Sequence, residues 1–498
     1  MELYRQEIIL FSVFIYMVCC IGVGIWAMRR TKSANDFFMA GRSLGPVVVA
    51  LAVFSSTLSG FGFVGGPGLV YSTGVSSIWM VTVSALGYAV GFFLVAKRIR
   101  MVAEIRDTMS LPDVVAARYQ SETARFLTAL TILLGVMGYL ATQILAMALV
   151  LKSMLGATVM FADISLVTCV VVSSAVLIFY CVTGGIIASV YTDVVQGSIM
   201  IVAGILIVIA ASSVFDGGLQ QASEIILADN SETIMPFGTI GIIGCLSWFF
   251  VFGIGLAGQP HLITKMMMNK NVKDNRSILP LSVVGYIMAA LLWISVGIVM
   301  RALVIDGQIL PLDSPDNAAP LFLSQFVHPI LAGVVFAGLF AAIMSTSDAF
   351  LNIGTAAIIH DIPVALRGRP VKHELYWARI VTILLSILAA AFALYSYYQN
   401  DRLVALLGAF GWSTFAAAIV PVVVLGLNWS RGNACGAVVA IVASLAINLG
   451  IEVFSITLPY GIHGGLVAML ASLFLYISVS LLTKEDELAP DMSRVMRL

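Results

Sequence analysis

Ser55-Ser56-Thr57-Leu58-Ser59-Gly60-Phe61-Gly62-Phe63-Val64-Gly65-Gly66-Pro67 interrupts an apolar run that begins near residue 46. Glycines at this density, closed by a proline, do not hold a regular helix. Backbone groups freed inside hydrocarbon are costly. A broken helix is therefore tolerated only where protein or a watery cavity satisfies those groups again. A second stretch, Gly253-Ile254-Gly255-Leu256-Ala257-Gly258-Gln259-Pro260, breaks another apolar run in the same way. Kinks, or close helix packing through small residues, would account for one such span taken alone.

The rest of the chain sets these breaks in a membrane. Of 498 residues, 60% are hydrophobic and 10% charged, and the mean hydropathy is +1.04. Soluble domains carry about 25% charged residues, so an ordinary soluble enzyme is excluded. Lys+Arg and Asp+Glu balance at 26 each with no basic block, which excludes a nucleic-acid partner. A span needs about 20 mainly apolar residues. Thirteen are expected, near 6–28, 46–66, 78–96, 127–150, 162–182, 191–213, 240–257, 281–303, 330–357, 378–398, 404–427, 434–454 and 463–482. The first is too long for a cleaved signal and reads as a retained helix. The fifth and sixth join at the uncharged turn Thr183-Gly184-Gly185.

Charge orients the chain. With the N-terminus outside, every basic residue except Arg5, Lys152, Arg301 and Arg402 is expected on the cytoplasmic side, Lys265 among them. The long outward loops carry Asp216, Glu224, Asp229 and Glu232, and Asp306, Asp313 and Asp316. The breaks fall in spans two and seven, so spans 2–6 and 7–11 form two five-helix units of opposite orientation. Paired interruptions in matching positions of two halves point to the central binding site of a transporter. The expected divisions are 1–45 (a peripheral helix and cytoplasmic loop), 46–213 and 214–428 (the two units), and 429–498 (two further helices and a short tail). No P-loop pattern occurs, so nucleotide hydrolysis is not the energy source.

Ionisable residues inside spans are rare and usually functional. Two acids qualify, Asp193 and Asp348, and no lysine or arginine is expected near mid-membrane beside them. Span nine adds Ser345, Thr346 and Ser347. Ala342, Ser345 and Asp348 follow at i, i+3 spacing on one face, offering a carbonyl, a hydroxyl and a carboxylate. Unwound carbonyls and hydroxyls at the first break are likewise hard oxygen ligands, suited to an alkali cation. The six cysteines lack metal or disulfide spacing. The histidines, His261, His328, His360, His373 and His463, show no ligand spacing either. No nucleophile–base pair appears within the spans.

The chain resembles the sodium:solute symporters, the group that includes proline, pantothenate, monocarboxylate, sialic acid and sodium–glucose carriers. The resemblance rests on Gly41-Arg42-Ser43-Leu44-Gly45, Ser59-Gly60, Gly184-Gly185 followed by Thr192-Asp193-Val194-Val195-Gln196, Gly258-Gln259-Pro260-His261, and Ala342-Ile343-Met344-Ser345-Thr346. It implies an all-α membrane protein with a leucine-transporter-type core of five plus five helices. It also implies a transported sodium ion held by the Ser55 and Leu58 carbonyls, the Ala342 carbonyl and the Ser345 and Thr346 hydroxyls. Asp193 matches an acid used in the ion pathway or at a second ion, and Asp348 stands where a second site would place a hydroxyl. The implied solute pocket is Thr57, Ser59, Gly60, Phe61, Phe252, Leu256 and Gln259, closest in motif to the proline branch. The expected activity is sodium-driven uptake of a small organic solute, such as a proline-like amino acid or a monocarboxylate, across the cell membrane. No organic cofactor is implied, and one copy of the chain is expected to suffice. A transporter-like sensor and a proton-coupled carrier are the alternatives; a channel would want a continuous polar lining that the sequence lacks.

Overall fold

The computed structural model describes residues 4–29, 34–39, 44–156, 158, 161–400 and 404–497. Gly41, Arg42 and Ser43 of the first motif, and Arg30, Lys32 and Arg402 of the charge pattern, lie outside the described residues. Among those described, eleven helices are long and apolar enough to cross a membrane. Two shorter apolar helices, Pro46–Ser55 and Leu166–Val182, fall on the expected second and fifth spans. Among the described residues, strand-like pairing is confined to an isolated bridge between Leu44 and Asn269.

The helices that position the site are α1 (Arg5–Met28), α2 (Pro46–Ser55), α3 (Gly66–Thr73), α4 (Ile78–Gly91), α5 (Glu122–Gly156), α6 (Leu166–Ser212), α7 (Gly241–Trp248), α8 (Pro260–Met267), α9 (Asn275–Ile305), α10 (Pro329–Ala356), α11 (Glu374–Asn400), α12 (Val404–Ile419), α13 (Ala434–Val453) and α14 (Gly464–Leu482). Local signals set their ends. Proline opens α2, α8 and α10, where its missing N–H costs nothing. The side chains of Ser165, Asn433 and His463 accept from backbone N–H groups at the starts of α6, α13 and α14. Gly74 ends α3 with φ +76°, and a Cβ there would lie 2.2 Å from the Thr233 carbonyl oxygen.

Helix α6 is one helical run of 47 residues. The Tyr180 hydroxyl is nevertheless hydrogen-bonded to the Thr192 hydroxyl, 12 residues on. A straight helix would separate those positions by about 18 Å, so the run bends sharply between them. Helix α10 is buried along most of its length and packs on α6, α5 and α1. Helix α9 packs on α2, α3 and α6. The interrupted spans thus run through the interior, which is where their broken backbone can be satisfied.

Candidate ion and solute site

Helix α2 stops at Ser55. Ser56 to Ser59 turn, and helical structure resumes as a wide turn over Phe61–Gly65 before α3. The second break is longer. After α7 come a wide turn over Phe249–Gly253 and a 3₁₀ segment over Ile254–Gly258; Gln259 is then extended (φ −76°, ψ 114°) and α8 begins.

The first break lies against α10. The Ser55 and Ser345 hydroxyls are 3.1 Å apart. The Thr346 hydroxyl lies 3.1 Å from both the Ser56 and the Ala342 carbonyl oxygens. The Ser345 hydroxyl donates to Asp193 Oδ1. Ser55, Leu58, Ala342, Ser345 and Thr346 are all buried, so the two oxygen-rich segments meet in one place out of contact with solvent. Asp348, one turn further along α10, is buried beside Cys181 and Ser189 of α6, and its Oδ2 has no hydrogen-bond partner.

Two expectations need correction. Asp193 has a basic partner: Lys265 Nζ lies 2.7 Å from its Oδ2, and both side chains are almost fully buried. Lys265 is also not in a cytoplasmic loop. Pro260 restarts the helix after the break, so the seventh span continues through α8 to Met267 and carries the lysine inside. Lys265 Nζ further donates to the Ala52 carbonyl, at 2.9 Å, and to the Ser56 hydroxyl.

The expected solute residues divide. Thr57, Phe61 and Phe252 line an enclosed void of about 10 Å³, together with Leu58, Gly62, Met80, Ser84, Tyr286, Trp293 and Trp412. That is room for a single water at most, so the aromatic walls are closed on one another. Phe61 stacks on Phe252 with ring centroids 6.1 Å apart, Trp293 meets Phe61 edge-on at 5.7 Å, and Trp412 lies 5.9 Å from Phe252. The Thr57 hydroxyl accepts from Tyr88 at 2.7 Å. Ser59 and Gly60 face α5 instead: the Ser59 hydroxyl is 3.1 Å from the Tyr139 hydroxyl, and the Gly60 N–H donates to Gln143 Oε1 at 2.8 Å. Leu256 packs toward Gly87. Gln259 donates to the Gly255 and Trp412 carbonyls at 3.0 and 3.2 Å, while its own Oε1 has no partner. Neither of these two lines the void. Trp293, Trp412 and Tyr286 join this wall without a motif to mark them; the signal the sequence carries is a tryptophan within an apolar span, whose N–H needs a partner.

On another part of the chain, carboxylate oxygens of Asp113 and Asp361 and a ring nitrogen of His360 lie within 4.8 Å of one another. Arg125 pairs with Asp113, Ser110 donates to Asp361 and Glu374 takes the other His360 nitrogen. Burial pushes the Asp113 carboxyl up, but His360 and Arg125 outweigh it and hold the group below the usual range. The cluster thus ties the short helix Leu111–Tyr119 to the far end of the α10 span and the start of α11 by ion pairs.

The comparisons with known proteins bear on this geometry. The model of the sodium:solute symporter family matches residues 37–444. The chain belongs to the sodium:solute symporter family. Among the relatives of this symporter, the sodium/proline symporter of Escherichia coli is 31% identical over 454 residues, covering 89% of this chain and 87% of that one. The osmoregulated proline transporter OpuE of Bacillus subtilis is 27% identical over 488 residues, covering 96% and 95%. Among solved structures, a substrate-bound, outward-open Na+-coupled sialic acid symporter superposes with a TM-score of 0.77 at 20% identity, covering 97% of this chain and 99% of that one. The symporter is therefore a sodium-coupled, multi-pass membrane carrier and not an enzyme. Its fold is the all-α, leucine-transporter-type core expected from the broken helices.

Proposed function

We propose that this symporter couples inward sodium movement to the uptake of a small amino acid, with proline as the first candidate. The ion is held by the Ser55 and Leu58 carbonyls, the Ala342 carbonyl and the Ser345 and Thr346 hydroxyls. The observation that carries the reading is the 3.1 Å approach of Ser55 to Ser345, which brings an unwound helix end against a run of hydroxyls on an intact helix. Neutral oxygens suit a weakly held monovalent cation. The solute sits between the breaks, against Thr57, Phe61, Phe252, Trp293 and Trp412. Those walls carry no fixed charge, so they favour a compact, largely apolar body. A carboxylate on that body would be met by backbone N–H groups and helix ends. The proline transporters named among the relatives support this choice of solute.

In this reading residues 46–213 and 214–428 are the two inverted halves, 1–45 and 429–498 are peripheral, and the N-terminus lies outside the cell membrane. Asp193 and Asp348 serve the ion pathway or a second ion. An ion entering down 100 mV supplies about 2.3 kcal/mol per charge. Coupling requires sodium and solute to favour each other's binding, and that linkage is reciprocal.

The test is uptake of labelled proline by purified protein in liposomes, with an inward sodium gradient and with potassium or a proton gradient in its place. Saturable, sodium-dependent accumulation that unlabelled proline suppresses is expected. Accumulation driven equally well by protons, or suppressed only by monocarboxylates, would overturn the sodium or the proline assignment respectively.

A further inference from the structure

The cation nearest the proposed sodium ligands belongs to the protein itself. An ammonium group offers three protons, and those of Lys265 meet three acceptors: the Ala52 carbonyl oxygen at 2.9 Å, the Ser56 hydroxyl, and Asp193 Oδ2 at 2.7 Å. The lysine side chain is 2% exposed and the aspartate 0%. Ala52 and Ser56 belong to the last turn and the cap of α2, the carbonyl end of a helix that stops at Ser55 and where the field favours positive charge. Sodium bound by the Ser55 and Leu58 carbonyls would use that same helix end. Asp193 joins the two places, since one of its oxygens takes the ammonium and the other accepts from Ser345, whose hydroxyl touches Ser55.

We propose that Lys265 is a tethered cation that competes with sodium for the end of α2 and for Asp193, and so sets how weakly the symporter holds its ion. The inference rests on the sodium site proposed above and concerns a residue outside that ligand set. The electrostatics run one way. A lone buried carboxylate beside neutral oxygens would bind sodium tightly and release it slowly. The ammonium cancels that carboxylate, so the ion meets a site of nearly zero net charge, and repulsion from Lys265 assists its departure. A carrier needs binding strong enough to load its ion and weak enough to let it go.

The experiment measures the sodium concentration that gives half-maximal thermal stabilisation of the purified protein in detergent, at constant ionic strength with choline as the replacement. The same variants are assayed for sodium-activated uptake in liposomes. Lys265→Met should lower the half-saturating sodium at least tenfold and reduce the maximal uptake rate, because release becomes slow. Lys265→Arg should stay within threefold of wild type. Lys265→Met with Asp193→Asn, which removes both charges and leaves neither buried alone, should lose that gain and hold sodium no more tightly than wild type. A half-saturating sodium in Lys265→Met that is unchanged or higher overturns the proposal. So does a charge-neutral double variant that holds sodium more tightly than wild type, and the double variant decides if the single one does not fold. Ser345→Ala with Thr346→Ala separates the two readings. If that variant loses the sodium response while Lys265→Met leaves it unchanged, the lysine proposal alone fails. If it keeps the response, the ligand assignment fails.

Discussion

Asp316 offers a prediction whose size and sign both come from its surroundings. It lies in the turn Pro315–Asn317, outside the membrane helices, with its side chain 3% exposed. Its Oδ2 accepts from the N–H of Val404, the first residue of α12, at 2.8 Å, and its Oδ1 has no partner. It lines a cavity of about 820 Å³ that Lys152 and Asp313 share. Burial pushes its carboxyl up to about 7, and the Val404 N–H draws it only partly back. In the unfolded chain the group ionises near the ordinary aspartate value of about 4. Stability contributed by the protonated form is therefore complete below about pH 4 and is lost as pH rises to about 7. At about 1.4 kcal/mol per pH unit in mid-window, less near either end, about 2–3 kcal/mol disappears between pH 5 and pH 8. Asp316→Asn keeps an acceptor for Val404 and cannot ionise. Thermal unfolding of both proteins in detergent should show the variant melting above wild type at pH 8, with the gap narrowing by about that amount at pH 5. Parallel melting curves across this range would refute the assigned burial and the sign drawn from it.

Two further substitutions test the packing around the breaks. At Gly66 a Cβ would sit 2.2 Å from a ring carbon of Trp293, which is itself held against Phe61. Gly66→Ala should therefore cost about 1–3 kcal/mol, read as a lower melting temperature, and unchanged melting would show that the ring can move aside. Phe252→Ala removes the ring between Phe61 and Trp412. It should raise the half-saturating solute concentration about tenfold or more in uptake assays while leaving the half-saturating sodium concentration near its wild-type value.

The outline of the fold is legible because its signals are local. Glycine and proline spacing locates both breaks, and the helices on either side stop where those residues require it: α2 at Ser55, α8 starting at Pro260. The hydroxyl run at Ser345 is equally visible. What sequence does not carry is register across a break. The segment Ile254–Gly258 winds as a 3₁₀ helix, three residues per turn rather than 3.6. Leu256 and Gln259 therefore turn toward Gly87 and the Trp412 carbonyl instead of the void, and no α-helical count across the break would place them there. Lys265 fails for a related reason. A lysine just past a glycine–proline break reads as a loop residue, and its burial depends on Asp193, 72 positions away, which only the folded chain brings near. Trp293 and Trp412 lie on α9 and α12, and which of their faces meets the breaks is decided by packing between helices.

Sodium activation of solute uptake in Ser345→Ala with Thr346→Ala tests the central claim most directly. Each substitution removes one of the five proposed oxygen donors and leaves the aromatic walls intact. The account predicts that the half-saturating sodium concentration rises by an order of magnitude or more, or that activation is lost, while solute still binds the detergent-solubilised protein at high sodium. Uptake with wild-type sodium dependence in the double variant would contradict it.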